Sequence, residues 1–129
     1  MSRPESIEAD KFAAGLKDIL ADIDNAVDEA VEEGVRAGAR KAASEWRRNA
    51  ATTLGGDAYR KSIRTSTSLK SGEPKATVYS TMPGLPHLLE KGHATIGGGR
   101  VKAYVHIEPA AESGFEEAYE TVKEAMDRL

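Results

Sequence analysis

Residues 7–46 read IEADKFAAGLKDILADIDNAVDEAVEEGVRAGARKAASEW, and the architecture of the chain depends on this segment. Apolar side chains recur in it at every third or fourth position, the spacing that places residues on one face of an α-helix. A helix of that length reaches roughly 60 Å, since each residue adds about 1.5 Å. Gly34 and Gly38 weaken this helix, so the segment is compatible with one continuous helix, with a helix kinked near Gly34, or with two helices that meet there. The stripe consists of Phe12, Leu16, Leu20, Ile23, Val27, Val31, Val35, Ala39, Ala42 and Trp46.

The segments that follow alternate between polar and apolar or β-branched residues, which is typical of strands. KSIRTSTSL at 61–69 and KATVYST at 75–81 predict a β-hairpin, because turn-forming residues separate them. VKAYVHI at 101–107 has the same alternation and predicts a third strand. We therefore expect a small antiparallel sheet of about three strands.

Prolines and glycines mark two further helices. Pro86 is suited to the first position of a short helix that Gly92 ends. Pro109 opens a C-terminal helix whose apolar residues share one face. That face carries Phe115, Tyr119, Val122 and Met126.

Together these elements predict an α+β fold in which helices cover the small sheet. The length of 129 residues fits a single domain at 1–129, made of a long helical segment at 1–50 and the sheet with the C-terminal helix at 55–129. Only 5% of the residues are aromatic, so we expect oligomerisation to supplement a modest core.

The net charge of −3 hides an acidic, basic, acidic layout along the chain. Residues 1–35 carry 3 basic and 10 acidic side chains, residues 36–105 carry 13 and 4, and residues 106–129 carry 2 and 7. Surfaces of opposite charge steer subunits together, although solvated helix faces explain the same layout. The expected subunit interface consists of Arg36, Arg40, Arg47, Arg48, Glu29, Glu32 and Glu33.

Composition argues against several classes of protein. With no cysteine the chain has no disulfide, thiol nucleophile or Cys-ligated metal site. The three histidines His87, His93 and His106 have no standard ligand spacing, so we expect no catalytic residue, no metal and no cofactor; an enzyme that uses these histidines is a minor alternative. No apolar run is long enough to span a bilayer and MSRPESIEAD is no signal peptide, so we expect a soluble cytoplasmic protein.

A small nucleic-acid-binding regulator is the main alternative to a protein-assembly role. Guanidinium groups match phosphate oxygens, and the middle of the chain is basic. No aromatic stacking platform accompanies these residues, so direct nucleic-acid binding is the less favoured interpretation. The basic residues in question are Arg36, Arg40, Arg47, Arg48, Arg60, Lys61 and Arg64.

The segment LPHLLEKGHATIGGGRVKAYVHIEPAAE at 85–112 contains short motifs on which a resemblance to a known family rests. A Leu-Glu-x-Gly sequence precedes a loop, a predicted strand and a Pro-Ala pair that opens the last helix; upstream, Gly56, Tyr59 and Ser62 lead into the first strand. In this the chain resembles the tail-component (neck or tail-completion) family of long-tailed phages named for gene product ten of phage HK-97. Val105 departs from the family pattern, which often has Pro there. The family-like residues are Leu89, Glu90, Gly92, Pro109 and Ala110.

The resemblance implies a structural virion protein without enzymatic activity, at the junction of head and tail. Its implied partners are copies of itself in a ring, head-closure or connector proteins and tail proteins. Its implied location is the host cytoplasm during assembly and then the neck or tail of the virion.

Overall fold

The computed structural model of the chain describes residues 9–50, 56–70, 73–82 and 84–129. The start of the expected helical segment before residue 9, the side chain of Phe12, which begins the stripe, and residues 51–55, 71–72 and 83 lie outside the described residues. The α+β class is confirmed. The elements are α1 (Ala9–Ala50), α2 (Gly56–Lys61), β1 (Ile63–Ser68), β2 (Lys75–Ser80), α3 (Leu85–Lys91), β3 (His93–Ala94), β4 (Arg100–Val101) and α4 (Ile107–Asp127).

The long helix α1 has 42 residues and is uninterrupted at Gly34 and Gly38. Its second half packs against α4, which runs antiparallel to it. Asn49 donates a hydrogen bond to the carbonyl of His106 at the start of α4 (3.0 Å). At the other end, the guanidinium of Arg128, just after α4, lies 3.3 Å from the carboxylate of Glu33. The glycines therefore lie at a helix–helix contact, where the absence of a side chain lets two backbones approach closely.

The predicted β-hairpin is confirmed. β1 and β2 pair antiparallel, with Ile63 opposite Ser80 and Ser68 opposite Lys75, and both strands contact α1. Ile63 is fully buried, whereas the rest of β1 is exposed and β2 alternates between exposed and half-buried residues. One face of β2 and the first residue of β1 thus join the sheet to the helices.

The predicted third strand at 101–107 is wrong. β4 pairs only with β3, in a separate two-stranded ladder of two residues per strand, and α4 begins within the predicted strand. The backbone N–H of Tyr104 donates to the carbonyl of Leu89 (2.7 Å), and that of His106 donates to the carboxylate of Glu90 (2.8 Å). Because α3 takes up these backbone groups, they are not available for a strand ladder.

The short helix that Pro86 and Gly92 predict is confirmed as α3, with Pro86 in its first turn and Gly92 just after its end at a φ of 72°. This positive φ is easily adopted by glycine, which has no Cβ. The predicted C-terminal helix is also confirmed, although it begins at Ile107, so that Pro109 is its third residue.

The core lies at the C-terminal end of α1. It joins α1 to α2, β1, α3 and α4. Partly buried Val78, Met82, Leu85 and Ile107 pack around it. Its members are Ala43, Trp46, Ala50, Tyr59, Ile63, Leu89 and Ala110.

The predicted apolar face of α4 is not its packed face. Phe115 and Tyr119 are 75% and 67% exposed, and Met126 is also exposed, whereas Ala110, Gly114 and Ala125 are buried. α4 therefore contacts α1 through small residues and through Val122, whose side chain lies against Gly34, whereas Phe115, Tyr119 and Met126 of the predicted face point outward.

Candidate functional site

The first half of α1 carries an apolar face that no other part of the described chain covers. We call residues 11–25 of α1 the arm. Every side chain described in it is exposed. Leu16, Ile19, Leu20 and Ile23 are 47%, 56%, 58% and 49% exposed. They stand at positions i, i+3, i+4 and i+7, so all four lie on one face of the helix.

The arm is bare because α4 is shorter than α1. α4 ends at Asp127, and the contact between Arg128 and Glu33 places this end beside the middle of α1. From residue 11 to Glu33 the helix advances about 33 Å at 1.5 Å per residue. The arm therefore extends well beyond the body that the other described elements form.

A second uncovered apolar surface is a groove between α1, α4 and β2, with a volume of about 440 Å³. We call it the groove. Val35, Ala39 and Trp46 of α1 line one side. Small residues of α4 form its floor, and Phe115 stands at its edge. Among the described residues that line it, Lys75 of β2 is the one that carries a charge.

The residues of the predicted charged interface divide into two groups. Glu29, Glu32, Glu33, Arg36 and Arg40 lie together around a shallow depression of about 340 Å³ on α1. All of them are exposed except Glu32, which is half-buried. Acidic and basic side chains are therefore adjacent on one surface rather than on opposite ends of the molecule.

Arg47 and Arg48 do not belong to that surface. The guanidinium of Arg47 donates a hydrogen bond to the carbonyl oxygen of Ile63 (2.8 Å) and so joins α1 to β1. Arg48 is exposed and lies 3.8 Å from Glu45 on the same helix. Arg47 thus has a role within the fold, which makes it a poor probe of contacts between subunits.

The family-like residues meet where α3 joins α4. Leu89 and Ala110 are buried in the core, and Gly92 ends α3. The carboxylate of Glu90 accepts hydrogen bonds from the N–H groups of His106 (2.8 Å), Ile107 (2.9 Å) and Glu108 (3.0 Å). These N–H groups lack acceptors within the helix, so Glu90, a residue of α3, caps α4. Its negative charge also interacts favourably with the positive N-terminal end of the helix dipole.

A buried chain of polar groups extends from this cap into the core. The indole N–H of Trp46 donates to the hydroxyl of Tyr59 (3.0 Å), and that hydroxyl lies 2.7 Å from Nε2 of His106. Nδ1 of His106 lies 2.7 Å from the carbonyl of Tyr104 and 3.0 Å from Glu90. Both ring nitrogens of His106 therefore lie within hydrogen-bonding distance of a polar group, and the indole N–H of Trp46 has an acceptor.

The environment shifts two pKa values in this cluster. Burial, opposed in part by the hydrogen bond from Trp46, raises the pKa of Tyr59 above 10.0, and the charge of Glu90 adds to the rise. Burial alone would raise the pKa of Glu90, but three backbone hydrogen bonds and the imidazole of His106 lower it below 4.5. Tyr59 is therefore held neutral and Glu90 charged, the states that their hydrogen bonds require.

The three histidines lie in separate elements. His106 is buried in this cluster, His87 is exposed on α3 and His93 is half-buried in β3. Among the residues that the structure describes, no group of three or more His, Asp or Glu side chains is placed to hold a metal ion. Over the same ranges, no helix combines the length and the apolar character needed to cross a bilayer.

Sequence reasoning missed three parts of these surfaces. Ile19 belongs to the arm face but was not assigned to the stripe, although its spacing from Leu16 and Ile23 indicates it. The spacing of Phe115 places it on the apolar face of α4, but it does not indicate that Phe115 is exposed and lines the groove. The sequence places His106 in a predicted strand, and no local signal identifies its pairing with Tyr59, 47 positions earlier.

Comparisons of the chain with family models, curated proteins and solved structures found no match.

Proposed function

We propose that this chain is a structural subunit of a long-tailed phage that joins head to tail as part of a neck or tail-completion ring. It works by protein–protein assembly rather than by catalysis. It assembles in the host cytoplasm and stays in the virion, in contact with copies of itself, with head-closure or connector proteins and with tail proteins.

The observation that carries this proposal is the bare apolar face of the arm. Four large aliphatic side chains, each about half exposed, lie in one row on a helix that extends beyond the body. Contiguous exposed apolar surface on this scale marks an interaction site. A subunit that is completed only by a neighbour fits an assembly role.

The resemblance to the phage tail-component family is what favours the head–tail junction over other assemblies in this proposal. Leu89, Glu90, Gly92 and Ala110 form one structural unit that anchors α4, so the pattern corresponds to a cap and not to an accidental string of residues. The same sequence pattern underlies the resemblance to the phage tail-component family.

Nucleic-acid binding remains the second candidate, with less support. Several of the basic groups are occupied: Arg47 bonds to Ile63, Arg60 pairs with Asp57 at 2.5 Å, and Arg64 donates to the carbonyl of Lys61. This alternative predicts salt-dependent binding of DNA by the isolated chain. A chain that binds DNA no more tightly than an acidic control protein does would remove it.

Deletion of the gene from the phage that carries it tests the proposal. We expect DNA-filled heads and separate tails by electron microscopy, and joined virions when the gene is supplied from a plasmid. Normal joined virions from the deletion strain, or a gene with no portal, capsid or tail gene near it, would overturn the proposal.

A further inference from the structure

We propose that the arm of one copy docks in the groove of a second copy, so that subunits join head to tail. The inference rests on the proposed function, because it names the contact by which the subunits of the assembly recognise one another. The arm face supplies Leu16, Ile19, Leu20 and Ile23, and the groove supplies an apolar bed beside Phe115.

The shapes of the two surfaces match. Anchors at i, i+3, i+4 and i+7 are the pattern by which an amphipathic helix lies in an apolar groove. The anchors from Leu16 to Ile23 span about 10 Å along the helix, and the side of the groove from Val35 to Trp46 spans about 16 Å. Ala39 and Ala42 of α1 and Ala110, Ala111 and Ala118 of α4 also line the groove, so short side chains border the space that an incoming helix would occupy.

The arm cannot fill the groove of its own chain. Both surfaces belong to α1, which is one uninterrupted helix, and Leu16 lies about 35 Å from Ala39 along its axis. An arm that docks in the groove must therefore come from another molecule. A contact between two different surfaces of identical chains is heterologous and generates a ring when its rotation closes.

Charge favours a second copy as the occupant. Residues 11–33 of α1 carry two lysines and seven acids, so the arm and its continuation are acidic. Among the described residues that line the groove the charged side chain is Lys75, on the β2 side, whereas α4 on the other side carries seven acids against one lysine, so the opposite charge is presented at Lys75. The arm of a second copy thus brings the apolar anchors and the opposite charge together.

Cross-linking tests the contact, and the absence of cysteine in the chain makes it clean. The double variant Asp24→Cys with Lys75→Cys places one thiol next to the arm face and one at the groove, and it leaves all four anchors in place. With a short bifunctional thiol reagent we expect a ladder of dimers, trimers and larger species. The control is Asp18→Cys with Lys75→Cys, which places the arm thiol on the far side of the helix and should give a much weaker ladder.

Single variants distinguish this geometry from others. Asp24→Cys alone should give no cross-linked dimer, and an efficient dimer would show that two arms pair with each other, which overturns the groove as the acceptor. Equal ladders from the test and control pairs, or no ladder from either, also contradict the proposal.

Association in solution gives a second measurement. Leu20→Asp and Ala21→Asp each add one negative charge at an exposed arm position, but only Leu20 is an anchor. In sedimentation equilibrium we expect Leu20→Asp to weaken self-association about 30- to 100-fold, the effect of removing a central apolar anchor. Ala21→Asp should change it by less than about 5-fold. Equal effects, or a wild-type chain that stays monomeric at its highest attainable concentration, would overturn the proposal.

The proposed function and the proposed arm-to-groove contact can be disproved independently. A specific ladder from a chain whose gene deletion leaves virions joined keeps the arm-to-groove contact and removes the role at the neck. Unjoined heads and tails without any ladder keep the role and remove the contact.

Discussion

Gly38 of α1 and Gly114 of α4 lie backbone against backbone: a Cβ on either residue would lie 2.8 Å from the carbonyl oxygen of the other. No side chain larger than hydrogen fits between the helices at this point. The contact sets the distance between α1 and α4, and therefore also the depth of the groove that both helices line.

Gly38→Ala should destabilise the fold by about 1–3 kcal/mol, because backbone atoms cannot turn aside as a flexible side chain does. This predicted loss is the net effect, after the gain in helix propensity of about 1 kcal/mol that alanine brings. Urea unfolding measures the difference. Gly15→Ala is the matched control, since nothing lies within 4 Å of its Cβ, and it should be neutral or slightly stabilising. Equal stability of the two variants would contradict the close contact.

Tyr59→Phe should destabilise the protein by about 1–3 kcal/mol, because it leaves the indole N–H of Trp46 and Nε2 of His106 buried without their partner. Thermal unfolding at neutral pH measures the loss. Tyr119→Phe removes a hydroxyl from a side chain that is 67% exposed and should change stability by less than about 0.5 kcal/mol. If the two variants unfold at the same temperature, the buried chain of hydrogen bonds does not contribute to stability.

The cap at Glu90 predicts a specific dependence on pH. Its pKa is lowered in the folded protein, so folding disfavours the protonated carboxyl. Its contribution is full above the ordinary value of 4.5 and is lost as the pH falls through the lower folded value. We expect Glu90→Gln to lower stability by about 1–2 kcal/mol at pH 7, with the gap closing in acid. A gap that is constant from neutral pH into acid would show that the charge of Glu90 plays no part.

The mixed charged surface around Arg36 and Arg40 predicts that self-association weakens with added salt. Reversal of both residues to Glu removes the basic half of this surface and should reduce association strongly at low salt, where the Debye length is long. Sedimentation at two salt concentrations measures the effect. These positions are better probes than Arg47, whose hydrogen bond to Ile63 supports the fold itself. An association that neither the reversal nor salt changes would leave the apolar surfaces alone to drive assembly.

Periodicity predicted the elements whose partners are close in sequence. The stripe on α1, the hairpin and the helix between Pro86 and Gly92 follow from local spacing and turn residues. The failed third strand has the alternation of a strand, but Glu90 takes up the backbone of its last residues as a helix cap. A cap supplied by a residue 17 positions away leaves no local signal.

The surfaces were harder to predict than the elements. The sequence distinguishes an apolar face from a polar one, but it does not say which apolar face a partner covers. Leu20 and Val31 belong to one stripe, yet Leu20 is 58% exposed and Val31 is half-buried, because α4 ends between them. The sequence also does not show that Phe115 is exposed. The small residues that bring α4 close to α1 carry little hydrophobic signal, so the packed side of α4 is hard to recognise.

The most direct test of the account is complementation of the gene-deleted phage with arm variants. Plasmids supply the wild-type chain, Leu20→Asp or Ala21→Asp, and electron microscopy counts joined virions against separate heads and tails. We predict joined virions with the wild-type chain and Ala21→Asp, and unjoined heads and tails with a folded, normally expressed Leu20→Asp. Joined virions at the wild-type level with Leu20→Asp would contradict the claim that this chain works through its exposed arm.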